Sequence, residues 1–270
     1  MNGTTKSNNA ILMIHGLCCG AEVWDRMAGA FRQLGWRVEA PTLSPHLRVK
    51  DAPSDELAKM SLKDYVDEME GAARRLEADT GHRPIVVGHS LGGLIAQKLA
   101  ERGAARAAVF MTPLAPAGVP PKLSLAPFVT LGNILFSRNL EKRPVKIWET
   151  GFKWGMLNGV PASRHKEIYA TMRYCSGMVF RDLIMPDKNP ERVAYVDETR
   201  INVPTLTIGA VKDRTVPVAT HRLVAEKYKR VGGDYLEYSD RAHWVLDDLG
   251  TDRTVADITN WLESKQLGLA

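Results

Sequence analysis

The chain predicts an α/β fold: a mostly parallel sheet of about six strands flanked by helices, with an inserted helical cap. Three observations carry this. Short apolar runs alternate with segments of helical hydrophobic spacing, the rhythm of βαβ units. Most of those runs are continuously apolar, as in strands covered on both faces. One stretch of about 85 residues breaks the rhythm between two core strands.

The elements follow in order. Strands are expected at 11–15 (ILMIH), 36–40 (WRVEA), 84–88 (PIVVG), 107–112 (AAVFMT), 204–210 (PTLTIGA) and 234–239 (DYLEYS). Helical spacing joins Leu62, Val66, Met69, Ala73 and Leu76, then Leu91, Leu94, Ile95 and Leu99, and near the end Val255, Ile258 and Leu262. Gly81 and Gly103 suit helix C-termini. After Thr112 the breaker-rich run 114–121 (LAPAGVPP) opens a segment of short amphipathic helices, and Ile201-Asn202-Val203-Pro204 re-enters the sheet. The expected division is a core of 1–113 and 201–270 with a helical cap at 114–200.

Composition narrows the class. The chain has 270 residues, 44% hydrophobic and 25% charged, which excludes disordered, collagen-like and coiled-coil classes. No apolar run approaches the ~18 residues of a membrane span, and the start is too polar for a secretory signal. The three cysteines, two of them adjacent, do not read as a disulfide framework. A reducing, cytoplasmic setting without stable membrane insertion is expected. The net charge of +5 lies entirely within 114–200, which implies a solvated basic surface or attraction of an anionic ligand or surface. No nucleic-acid-binding pattern accompanies it, so no nucleic-acid partner is expected.

The chemistry-bearing residues sit where such a sheet presents them. Gly88-His89-Ser90-Leu91-Gly92-Gly93 follows a strand and opens a helix. A serine on this sharp turn projects from the C-terminal edge of the sheet, and the glycines two before and two after let strand and helix approach. A serine hydroxyl needs a base, and the base an orienting acid. Asp213 follows the strand at 204–210, and His243 follows the strand at 234–239. His15 and His89 flank glycine turns and read as loop-holding residues. His46, His82, His165 and His221 lack a strand-end position. Asp240 reads as a turn residue, and Asp247 and Asp248 as helix or loop surface. The backbone N–H groups of Leu17 and Leu91 are the expected oxyanion donors.

With His15-Gly16, the serine turn, Asp213 ahead of Val216-Pro217, and His243-Trp244, the chain resembles the α/β-hydrolase fold superfamily, among its cap-bearing serine esterase and lipase-like members. The resemblance spans 11–265. It implies a Ser90–His243–Asp213 triad, the Leu17 and Leu91 oxyanion hole, and no cofactor or metal. A carboxylate nucleophile, as in dehalogenase relatives, is excluded by the serine at 90. The short N-terminus departs from the full eight-stranded sheet. Cys18, Met178 and Trp244 are the expected substrate contacts. Cys18-Cys19 either lines the acyl pocket or packs. The expected activity is hydrolysis of a carboxylic ester of a small to medium, partly apolar molecule through an acyl-enzyme, by a monomer or homodimer. Thioesterase, lactonase and C–C bond hydrolase remain open on the same triad. A hydrolase-like ligand-binding receptor is a further alternative.

Overall fold

The computed structural model describes residues 9–120 and 125–269. Six strands form one sheet: β1 (Ala10–Ile14), β2 (Arg37–Glu39), β3 (Ile85–His89), β4 (Ala107–Met111) and, after the insertion, β7 (Thr205–Ala210) and β8 (Asp234–Tyr238). Their order is β2-β1-β3-β4-β7-β8, and every pairing is parallel. Each begins and ends close to where its apolar run predicts. The four inner strands are buried at every position, whereas the edge strands β2 and β8 are only partly so. Each fully buried Leu, Ile or Val contributes about 1.5–3 kcal/mol by leaving water.

The helices of the sheet are α1 (Asp25–Gln33), α2 (Leu62–Thr80), α3 (Leu91–Glu101), α8 (Val218–Lys229) and α9 (Thr251–Ser264). α1 packs on α9 and α2 on α3. α2 starts with a capping box in which Ser61 and Asp64 satisfy each other's backbone N–H, and ends at Gly81 in the left-handed region. The chain runs outward from β1 in both directions, to β2 and to β3. In sheets of this kind, ligands bind at the strands' C-terminal ends beside such a reversal.

Between β4 and β7 lie α4 (Ala126–Leu135), β5 (Pro144–Val145), α5 (Glu149–Gly155), α6 (His165–Ala170), β6 (Cys175–Ser176) and α7 (Gly177–Ile184). The sequence reading expects helices alone here. Instead β5 and β6 pair antiparallel, Val145 opposite Cys175. Two residues per strand leave no periodicity to read, and the pairing joins segments thirty residues apart. Pro121, at the end of the breaker-rich run, lies outside the described residues.

Candidate active site

Ser90 occupies the turn between β3 and α3. Its φ is 55° and ψ is −116°, a conformation that strains any residue with a Cβ. Neighbours hold it there. Ser90 N–H donates to Met111 O at 3.1 Å, and the N–H groups of Gly93 and Leu114 donate to Ser90 O at 3.0 Å each. The flanking glycines are required sterically. A Cβ on Gly88 would lie 2.0 Å from Gly92 O, and one on Gly92 would lie 2.0 Å from Ile14 O. The β1 turn adjoins the serine, since a Cβ on Gly16 would lie 3.0 Å from Ser90 Cβ. Leu17 follows directly. Leu91 opens α3, so its N–H belongs to the helix's first turn, which has no intrahelical acceptor.

Asp213 sits in the loop after β7. One carboxylate oxygen, Oδ1, accepts from Thr215 N–H at 2.7 Å and Val216 N–H at 2.8 Å. The other, Oδ2, lies 2.7 Å from His243 Nδ1. A carboxylate only accepts, so His243 Nδ1 carries the proton and Nε2 presents a lone pair. That Nε2 is buried and has no hydrogen-bond partner among the described residues. The geometry leaves one basic nitrogen unspent at the sheet edge, with its tautomer fixed by Asp213.

His89 holds a loop here, as the sequence leads one to expect, whereas Thr112, His221 and Asp248 carry no motif that marks them. His89 directs Nε2 to His243 O at 2.9 Å, so that nitrogen is the donor. Thr112 Oγ1 donates to the same carbonyl at 3.1 Å. Burial, then the neighbouring His243, holds His89 well below the ordinary imidazole range and keeps it neutral. His221, set aside for want of a strand-end position, reaches the site from α8: its Nε2 lies 3.6 Å from Asp213 Oδ2. Burial outweighs the attraction of Asp213 and lowers its pKa to about 4. Asp248, expected at the surface, is buried and forks onto Arg241, with Arg241 Nε donating to its Oδ2 at 2.7 Å. Arg241 also donates to Val245 O and Gly250 O, so this ion pair staples the loop carrying His243. No motif marks it, because the two charges meet only once the loop has closed.

The remaining candidates fall in different places. Trp244 is buried, edge-on to both His89 and Phe152 of α5. Cys18 is buried, facing Cys175. Met178, on α7, has its described polar contacts with Ser176 and Arg181, and none with Ser90 or His243. His15 accepts from Leu43 N–H at 3.0 Å through Nε2, and its Nδ1 faces Gly16 O, so it braces two loops at the sheet edge. The insertion reaches the loops of both Asp213 and His243. Asn158 donates to Lys212 O, Arg214 stacks on Trp154, and Arg164 pairs with Asp247.

The sequence pattern of the Alpha/beta hydrolase family matches residues 11–257. The chain belongs to that family. A search of curated protein sequences finds no match. Among solved structures, this hydrolase is similar to an Arabidopsis methylesterase, with 17% identity, 94% of this chain and 99% of that one covered, and a TM-score of 0.68. It is also similar to a Paleococcus ferrophilus monoacylglycerol lipase, with 21% identity, 96% of each chain covered and a TM-score of 0.69. Tomato methylketone synthase I, solved with 2-tridecanone, is similar at 18% identity, with 94% and 98% covered and a TM-score of 0.70. At these identities the likeness establishes the shared fold of this hydrolase. Among the described residues, no helix of the hydrolase is long and apolar enough to cross a membrane.

Proposed function

We propose that this hydrolase cleaves a carboxylic ester through a covalent acyl-enzyme on Ser90. The observation that carries the reading is the Asp213–His243 contact of 2.7 Å, which leaves His243 Nε2 buried and unpartnered at the edge where Ser90 stands strained. His243 takes the Ser90 proton as Oγ attacks the ester carbonyl carbon. Asp213 holds the imidazole tautomer and stabilises the imidazolium. The Leu17 and Leu91 N–H groups stabilise the oxyanion. Collapse of the tetrahedral intermediate expels the alcohol, which takes its proton from His243. Water, deprotonated by His243, then releases the acid and restores Ser90.

Residues 114–200 act in this reading as a cap over the sheet edge, shaping a partly apolar pocket in which Cys18 and Trp244 contribute wall. The methylesterase and lipase among the similar structures support an ester as the substrate class. Action on a small-molecule ester in the cytoplasm, as monomer or homodimer and without a cofactor, completes the proposal.

The test is labelling of the purified protein with a fluorophosphonate probe, located by mass spectrometry, beside turnover of p-nitrophenyl esters and acyl thioesters. Labelling at Ser90, lost in Ser90→Ala together with ester turnover, is expected. Undiminished ester turnover by Ser90→Ala overturns the reading.

A further inference from the structure

Two thiols from distant parts of the chain meet beside the β1 turn. Cys18 Sγ and Cys175 Sγ lie 2.7 Å apart, and both side chains are buried. This is less than about 1 Å beyond the ~2.05 Å of a covalent S–S bond. Both residues are free cysteines. The backbones around them are fixed. Arg173 N–H donates to Cys18 O at 2.8 Å, Tyr174 N–H donates to Val49 O at 2.9 Å, and Cys175 pairs with Val145 across the β5–β6 ladder. Cys19, by contrast, turns its thiol to Leu17 O at 3.3 Å.

The surroundings give the two sulfurs different roles. Arg48 is buried; its Nε donates to Tyr174 O at 3.2 Å and its Nη1 reaches His15 Nε2 at 3.3 Å. Its Nη2 has no hydrogen-bond partner among the described residues. Burial opposes ionisation of Cys18, but the Cys175 S–H and the Arg48 guanidinium hold its thiol below the ordinary value. Burial and the hydrogen bond to Cys18 push Cys175 well up. Cys18 is thus the nucleophilic sulfur and Cys175 the one that keeps its proton.

We propose that Cys18 and Cys175 form a reversible disulfide that fastens the turn after β1 to the insertion, with a peroxide as the oxidant. The Cys18 thiolate attacks one peroxide oxygen. The O–O bond breaks, the second oxygen leaves as hydroxide and is protonated to water, and Cys18 becomes a sulfenic acid. The Cys175 sulfur then attacks the Cys18 sulfur and gives up its proton. The S–S bond forms, the S–O bond breaks, and the oxygen departs as a second water. Two thiols lose two electrons in all, and one peroxide becomes two waters. A dithiol reverses the bond by exchange. Hydrogen peroxide is hardly larger than water, which suits a buried pair.

A consequence for catalysis rests on the ester-hydrolase reading. Leu17, the proposed oxyanion donor, precedes Cys18, so the cross-link shifts its N–H and ties the insertion down. The reduced protein is the faster form.

The test treats the full chain with hydrogen peroxide, alkylates it under denaturing conditions and digests it with trypsin without reductant. A cross-link between the peptides holding Cys18 and Cys175 is expected, with fragmentation between Cys18 and Cys19 placing the bond on Cys18. It should vanish with dithiothreitol and be absent from Cys18→Ser and Cys175→Ser. It should survive in Cys19→Ser, a variant that leaves both partners in place. The melting temperature of the wild type should rise on oxidation and fall back on reduction. A bond through Cys19, oxidation of Cys18 to sulfinic acid without a cross-link, or three thiols that remain alkylatable overturns the proposal. Fluorophosphonate labelling several-fold slower in the oxidised form supports the catalytic consequence, and equal rates overturn it while the cross-link stands. Absence of labelling in both forms counts against the ester-hydrolase reading, and the peptide map still decides the disulfide.

Discussion

His89 donates Nε2–H to the backbone carbonyl of His243 at 2.9 Å, with the two rings 4.8 Å apart. The residue before the candidate nucleophile therefore holds the loop of the candidate base. His89→Phe keeps a ring and removes the donor, while Thr112 still donates to the same carbonyl. One lost hydrogen bond is worth about 1 kcal/mol. We expect kcat for a p-nitrophenyl ester to fall on the order of 5- to 10-fold, with KM nearly unchanged. A change confined to KM would refute a positioning role.

Asp213→Asn should be far more damaging. An amide can donate its N–H to His243 Nδ1, which moves the imidazole proton to Nε2 and leaves that nitrogen without the lone pair the proposed mechanism needs. The expected loss in kcat is on the order of 10⁴-fold, read from steady-state kinetics. Thermal unfolding, measured alongside, separates this from loss of fold. A loss of only a few fold would remove Asp213 from the proposed triad.

Two glycines should respond in opposite senses to alanine. Gly92→Ala drives a Cβ to 2.0 Å from Ile14 O, a backbone atom that cannot step aside. Little or no folded protein is expected. Gly29 lies in α1 with nothing within 4 Å of an added Cβ. Gly29→Ala should stabilise by about 0.5–1 kcal/mol. Urea denaturation checks both, and a destabilised Gly29→Ala would refute the open helix face.

The Arg241–Asp248 pair lies with both side chains only 5% exposed. Arg241→Met strands a buried carboxylate and should destabilise by about 3–5 kcal/mol. Pairing it with Asp248→Leu removes the orphan charge, and much of the loss should return. If the double variant is no better than the single one, loop packing rather than charge sets the penalty.

Acid should weaken the fold through its buried imidazoles. Burial lowers His221 to about 4, and burial also depresses His15 and His89 well below the ordinary range. The unfolded chain takes up these protons near pH 6.5, whereas the native state resists. Stability is thus fully present above about pH 6.5 and declines as pH falls toward 4. His221 alone contributes on the order of 3 kcal/mol across that window. Unfolding free energies at pH 7 and pH 5 in wild type and His221→Gln test this, and an equal fall in both would exclude His221 as a source.

What the sequence discloses follows its periodicity. The run Ile85-Val86-Val87 reads as a buried strand because nothing polar interrupts it, and the serine turn is legible because strand, glycines and helix stand side by side. Asp213 and His243 are legible because strand ends place them. The β5–β6 pair is too short to leave a pattern. His221 sits on a helix, so only the crossing of α8 over the end of β7 brings it to Asp213. Asp248 looks ordinary until its own loop folds back onto Arg241, and Cys175 until Cys18 arrives from elsewhere in the chain. Contacts made by tertiary closure, rather than by local chain chemistry, are the ones that stay hidden.

The neighbouring strands β4 and β7 also set an order of assembly. Ala108 pairs with Thr205, so their ladder closes only after the whole insertion has left the ribosome. Strands β1 to β4 can zip first, and the serine turn belongs to that early half. Asp213 and His243 arrive with β7 and β8. Loop closure across so long a segment is slow, although each doubling of its length adds only about 0.6 kcal/mol. During synthesis, then, the proposed nucleophile is built well before the residues proposed to activate it, and on that reading the nascent chain carries an inert serine until the sheet is complete.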